Sequence, residues 1–151
     1  MTKPHRIAAG GIVIHDDAIL LVRYNASDGS TYLVCPGGKL ELNENVEEAV
    51  IREVREETGQ TVLPTKVVAI EDLVASTFKC CKIWMLCEPL TTDIDHTDEA
   101  HQEGIIEVGW FSRESLTQET IYPPFVKEMD WSLFERPDWQ VLCLASRTVT
   151  L

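Results

Sequence analysis

The chain has 151 residues, the size of one domain, and 44% of them are apolar, as in ordinary soluble globular proteins. Its net charge of −12 opposes binding to a long polyanion such as duplex DNA, yet it permits metal-bridged binding of a small phosphate ester. No apolar run approaches the roughly 20 residues of a membrane span, and Met1 to Arg6 lacks a signal-peptide pattern, so one cytoplasmic domain over 1–151 is expected.

In chain order, the apolar runs 7–14 and 18–22, separated by His15-Asp16-Asp17, predict a strand pair. A polar loop over 25–30 leads to a short strand, 32–34, stopped by Cys35-Pro36-Gly37-Gly38. Asn43 is the expected N-cap of a helix from about Glu44 to Glu57, ended by Gly59. Residues 62–74, broken at Pro64, and 78–87 read as antiparallel strands. The acidic stretch 90–104 reads as a long loop and 105–111 as a strand, with Ser112 capping a short helix through Leu116. Pro123-Pro124 opens a second longer helix to about Glu135, and 139–144 reads as a last strand without an assigned place. This order of elements suggests an α/β fold with a mixed sheet and helices on its faces. The five cysteines form no CxxC pair and read as reduced packing residues.

Chemistry concentrates in the first helix. At about 100° per residue, Val46, Ala49, Val50 and Val54 form an apolar stripe, with Glu53 and Glu57 inside it and Glu56 on its edge. Glu48 and Arg55 point the opposite way, and Arg52 also projects from the centre of the cluster. Burying carboxylates together costs desolvation and repulsion, which a cation must offset. A hard divalent ion with oxygen ligands suits residues at i, i+3 and i+4. The competing reading is a solvated acidic face, the common fate of helix glutamates.

The surrounding residues favour the metal. The pattern G-x5-E-x7-R-E-U-x-E-E-x-G-U, with U aliphatic, is met by Gly38, Glu44, Arg52, Glu53, Val54, Glu56, Glu57 and Gly59; only Gln60 departs, at the final aliphatic position. A chance match is on the order of one in a million. This is the Nudix box, and the chain resembles Nudix hydrolases over most of residues 6–116, including Pro36-Gly37-Gly38 and Glu107-Val108-Gly109-Trp110-Phe111. The resemblance implies a Nudix-type α/β/α sandwich with a mixed central sheet. It also implies a magnesium- or manganese-dependent diphosphohydrolase acting on a nucleoside diphosphate linked to another moiety, such as a nucleoside triphosphate, ADP-ribose or a nucleotide sugar. The PGG start is closer to the general nucleotide-handling, MutT-like members than to the dinucleoside-polyphosphate enzymes.

The same resemblance implies roles for individual residues. Glu53, Glu56 and Glu57 correspond to metal-binding carboxylates, with the Gly37 carbonyl as a further ligand, and Arg52 to the residue that orients them. For Arg52 the alternative is a plain surface ion pair with Glu56. Glu44 braces the loop and the helix start, beside the structural glycines Gly38 and Gly59. The general base is Glu53 or a loop glutamate, Glu103 or Glu107, with Glu53 preferred because it sits on a rigid helix. Arg23 and Lys39 are candidate phosphate contacts or ordinary surface charges; His96 and His101 read as loop residues, Trp110 and Phe111 as core. The expected partner is a small nucleotide-type molecule, with no nucleic acid or membrane, and a homodimer is admitted. Two rivals remain open: a ligand-sensing module on the same fold, and an isopentenyl-diphosphate isomerase-like enzyme using Cys35.

Overall fold

A computed structural model of the chain describes residues 2–149. In chain order it contains β1 (His5–His15), β2 (Ala18–Asn25), β3 (Thr31–Val34), β4 (Gly37–Lys39), α1 (Val46–Thr58), β5 (Val62–Val74) and β6 (Lys79–Pro89). Then follow α2 (Asp98–Gln102), β7 (Ile105–Ser112), β8 (Ile121–Tyr122), α3 (Phe125–Glu128), β9 (Leu142–Cys143) and β10 (Arg147–Thr148). The sheet is mixed. β1 and β2 pair only near their hairpin, Ile14 opposite Ile19 and His15 opposite Ala18. The turn between them is made by Asp16 and Asp17, at φ 49° and 59°, a region aspartate tolerates better than most residues. β1 runs parallel to β6 and antiparallel to β4, whereas β2 pairs with β3 and β7. The sheet thus divides into two halves joined through β1.

Both faces of the central strands are buried, which is why they read as continuous apolar runs. Ala9, Val13 and Leu20 pack with Ala49, Val50 and Val54 of α1. On the other face Ile12, Ile19 and Leu21 pack with Val126, Trp131 and Phe134 from the chain after β8. Helical turns therefore cover both faces, and the α/β/α expectation holds.

The boundaries needed tertiary information. The N-cap of α1 is Asn45 rather than Asn43: its side chain accepts from Glu48 N, while the Glu48 carboxylate accepts from Asn45 N at 2.9 Å. Glu48 is therefore part of a capping box, beyond its exposure on the outer face. Gly59 closes the helix at φ 75° and donates to Arg55 O. Pro64 does not break β5, because it lies at a register shift where its missing N–H interrupts little of the ladder. The expected loop 90–104 carries α2, capped by Thr97. The predicted long helix to Glu135 is instead α3 followed by a 3₁₀ turn, Trp131–Glu135. Met129 is extended, and Asp130 accepts from Ser132 N at 3.0 Å, a local bond that competes with helix continuation. The last expected strand is reduced to β9, which lies parallel to β5, as β10 does further along. Among the described residues no helix is long and apolar enough to cross a membrane. All five cysteines are free, with Cys35, Cys80 and Cys87 buried.

Asn45→Ala should lower unfolding free energy in urea by about 1 kcal/mol, the usual cost of losing an N-cap. Asn43→Ala should change it by less than about 0.5 kcal/mol, as for an ordinary surface site. Equal losses at both positions would contradict the cap assignment.

Candidate active site

Two α1 residues one turn apart, Glu53 and Glu57, turn inward with the apolar stripe and are 6% and 1% exposed. Glu103, the residue that closes α2, brings a third carboxylate: oxygen atoms of the three lie within 4.8 Å of one another. Glu57 is held from two sides. The Gly37 N–H donates to its Oε1 at 2.8 Å, and the Tyr24 hydroxyl donates to Oε2 at 3.3 Å. Glu53 lies against the Gly38 backbone so closely that a Cβ there would sit 2.5 Å from Oε1. Any side chain at this position would have to displace that carboxylate. Glu56 stays half-buried at the rim of a cleft of about 970 Å³, which Lys39, Glu44, Arg52, Glu53 and Glu103 also line.

Arg52 starts from the outer side of the stripe, as expected, but its long side chain curls back to the cluster. Its guanidinium donates to Glu44 Oε1 at 2.5 Å and Oε2 at 2.9 Å, to Glu53 at 2.9 Å, to Glu56 at 3.2 Å and to Lys39 O at 3.1 Å. Such charge-assisted bonds fix direction as well as charge. The i,i+4 pair with Glu56 exists, and it is one bond of a larger network. Glu44 also accepts from Glu41 N at 2.8 Å, so it braces the loop before α1.

The segment after β6 is strapped to the end of α1, where helix carbonyls lack internal partners. Asp95 N donates to Thr58 O at 3.2 Å, and the Thr97 hydroxyl donates to Glu56 O. Gln60, the residue that departs from the box, is fully buried; its amide donates to Asp93 O and accepts from Thr91 Oγ1 at 3.3 Å. Its polar end is satisfied, and it ties down the chain leading to Glu103. His96 stacks on His101 with ring centroids 3.8 Å apart and contacts Ile105 O at 2.8 Å, which also orders this segment.

Electrostatics report the crowding. Burial, then repulsion by Glu103 and Glu53, pushes the Glu57 carboxyl up to about 8, against the pull of the Gly37 N–H. Burial also raises Glu53, with Arg52 opposing. Glu103 is raised by burial and then by Glu56. Glu44 is lowered by its bond to Arg52. Tyr24 is raised by burial and by Glu57, so it stays a neutral donor. Three oxygen donors converge here, and Arg52 reaches only one of them, Glu53. This donor set fits a hard divalent cation better than it fits protons.

Other expected residues lie elsewhere. Arg23 alternates with Tyr24 along β2 and so faces the opposite side of the strand. It is taken up by Glu107 at 2.5 Å and Glu119 at 2.9 and 3.0 Å, which removes both Arg23 and Glu107 from the carboxylate centre. Lys39 is exposed at the cleft. Gly37 meets the cluster through its N–H. Trp110 and Phe111 pack against the core, as expected. Cys35 is fully buried and its thiol is pushed up by that burial, so it is not the reactive group an isomerase would need. Sequence reasoning missed Tyr24, Thr97 and Gln60, none of which carries a local signal for a role decided by packing.

A profile of the NUDIX domain matches residues 4–131. The chain is 43% identical over 53 residues to an ADP-ribose pyrophosphatase of Methanocaldococcus jannaschii, covering 35% of this chain and 31% of that protein. It is 37% identical over 81 residues to a MutT-like protein of Streptomyces ambofaciens, covering 50% of this chain and 51% of that one. The matches thus span from about a third to about half the length of these relatives. A NUDIX hydrolase structure from Nitrosomonas europaea superposes with a TM-score of 0.68 at 26% identity, covering 83% of this chain and 85% of that one.

Two outcomes follow from the geometry. Raised carboxyls bind protons more tightly in the folded than in the unfolded chain, so their contribution is full at low pH and lost as pH rises through the folded value. In chelator, stability should therefore fall between the ordinary carboxylate range and about 8, and magnesium should restore it at the alkaline end. Thermal unfolding midpoints across that range, with and without magnesium, would show it; a flat profile in chelator would exclude the crowded cluster. Separately, Gly38→Ala should weaken magnesium binding at least about tenfold, because the new methyl displaces Glu53. Titration calorimetry with magnesium reads this directly.

Proposed function

Since the chain belongs to the NUDIX domain family, we propose that it is a divalent-metal-dependent hydrolase that cleaves a phosphoanhydride bond in a nucleoside diphosphate linked to another moiety. The observation that carries this reading is the meeting of Glu53, Glu57 and Glu103 within 4.8 Å, beside a cleft lined by Glu53, Glu56 and Glu103. Glu53, Glu56 and Glu57 would hold the ions, magnesium or manganese, with the Glu103 carboxylate beside them. Bound there, such ions supply charge neutralisation at the phosphates and a more acidic attacking water.

The chain's own groups do the positioning. Arg52 keeps Glu53 and Glu56 aligned, the Gly37 N–H and Tyr24 hydroxyl hold Glu57, and Gly38 leaves room for Glu53. Glu103 is the better proton acceptor. Burial raises the proton affinity of both Glu103 and Glu53, but the Glu103 carboxylate accepts no hydrogen bond among the described residues, whereas Glu53 is tied to Arg52. Glu53 sits on the rigid helix α1, and the segment before Glu103 is likewise helical and strapped to α1. The names of the relatives, an ADP-ribose pyrophosphatase and a MutT-like protein, support substrates of the ADP-ribose or nucleoside triphosphate class. A small-molecule partner agrees with the charge of −12. The complete glutamate set favours catalysis over a sensing role, and the reading includes a cytoplasmic address.

Phosphate release from a panel of diphosphate compounds should require magnesium or manganese and stop in excess chelator. Glu53→Gln and Glu57→Gln should each lower turnover by at least about a hundredfold, while Glu47→Gln, on the exposed face, should match wild type. Glu103→Gln should lose most of its turnover and the acidic limb of its pH profile at saturating metal. Hydrolysis that survives chelation would sink the reading.

A further inference from the structure

A second polar cluster lies beside the carboxylates and outside the box. Glu71 and Lys82 are opposite each other on β5 and β6, and Trp84 lies on the same face of β6 as Lys82. Glu71 is buried: Trp84 Nε1 donates to its Oε1 at 2.7 Å and Arg147 to its Oε2 at 3.2 Å. The Arg147 guanidinium lies 4.5 Å from the Tyr122 ring centroid, and the Lys82 ammonium 4.4 Å from that of Trp84. Tyr122 meets Tyr32 edge-on at 5.7 Å, Tyr32 stacks on Tyr24 at 5.6 Å, and Tyr24 bonds Glu57. The contacts run without a break from Arg147 to the carboxylate centre.

Charge distinguishes this cluster from the sites of Arg52 and Arg23. Arg52 is surrounded by Glu41, Glu44, Glu53 and Glu56, and Arg23 by Glu107 and Glu119. Here one acid, Glu71, pairs with Arg147 alone, and Lys82 is a second cation of the cluster. No described carboxylate lies within ion-pairing distance of Lys82, and the buried Nε of Arg147 has no acceptor. Buried donors of this kind are rare, and each one calls for an acceptor. Aromatic faces hold both cations without neutralising them, so their N–H groups keep their affinity for anions.

We propose that Lys82 and Arg147 form an anion subsite that holds substrate phosphoryl oxygens on the side of the site away from the glutamates, with Glu71 as the positioning residue for Arg147. It rests on the hydrolase reading and adds to it: the substrate is held between metal-binding carboxylates and a pair of cations. Phosphate suits this pair, since guanidinium offers paired donors and ammonium a compact charge. Two elements far apart in sequence supply it, β6 and the tail strand β10.

Titration calorimetry of the full chain with inorganic pyrophosphate, in magnesium, tests the subsite by binding alone. Lys82→Gln and Arg147→Gln should each weaken binding about tenfold, as expected for losing one charge-assisted contact. Lys82→Arg should stay within about threefold, and Lys66→Gln, remote on β5, should bind as wild type. The Lys82 side chain makes no hydrogen bond among the described residues, so its variant is expected to fold; an unchanged thermal midpoint checks this. Adenosine, which has no phosphate, should bind both Lys82→Gln and wild type alike. Pyrophosphate binding unaffected by Lys82→Gln overturns the subsite, as does a loss confined to adenosine. Weakened pyrophosphate binding in a chain that hydrolyses no diphosphate would uphold the subsite and overturn the catalytic reading.

Discussion

The mutual repulsion of carboxylates buried at the end of α1 is the constraint around which the molecule is organised. Glu53 and Glu57 are carried inward by the same stripe that packs Ala49, Val50 and Val54 on the sheet. The helix cannot dock without bringing them in, and they cannot all remain charged there without a cation. Every nearby feature answers that demand in part. The Gly37 N–H and the Tyr24 hydroxyl donate to Glu57, Arg52 donates to Glu53 and Glu56, and Gly38 gives up a side chain so that Glu53 can lie against the backbone. These groups set direction. They leave much of the charge uncompensated, as the raised proton affinities of Glu53, Glu57 and Glu103 record.

The third carboxylate shows how a helix end can organise a site beyond its own residues. The terminal carbonyls of α1 would be unsatisfied alone; Asp95 N and the Thr97 hydroxyl use them, and buried Gln60 binds Asp93 and Thr91. The strapped segment then forms α2, whose C-cap is Glu103. Satisfying the backbone and assembling the site are here the same act. The tail plays a comparable role on the other side, where β10 pairs with β5 and brings Arg147 to Glu71 and Tyr122.

The sequence alone determined the chemistry of α1 and much of the fold. Helical period and turn residues depend on neighbours a few positions apart, so the strand pair before Asn25, the main helix, its glycine terminator and the inward set of glutamates were all readable. Motif spacing pointed to Arg52 and Glu44 for the same reason. The N-cap was misplaced by two residues because Asn43 and Asn45 offer equal local chemistry, and only the bond to Glu48 N separates them.

Only the tertiary structure decided what joins residues distant in the chain. Arg23 resembles a free phosphate contact until β7 and the segment before β8 bring Glu107 and Glu119 against it. Gln60 looks like a defect in an aliphatic position until the chain after β6 meets its amide. Tyr24, Lys82 and Arg147 carry no pattern at all; their positions beside Glu57, Trp84 and Glu71 come from strand register and the path of the tail. Local pattern records which face of an element is apolar. Pairing across long loops depends on the whole core closing, and no window of sequence contains it.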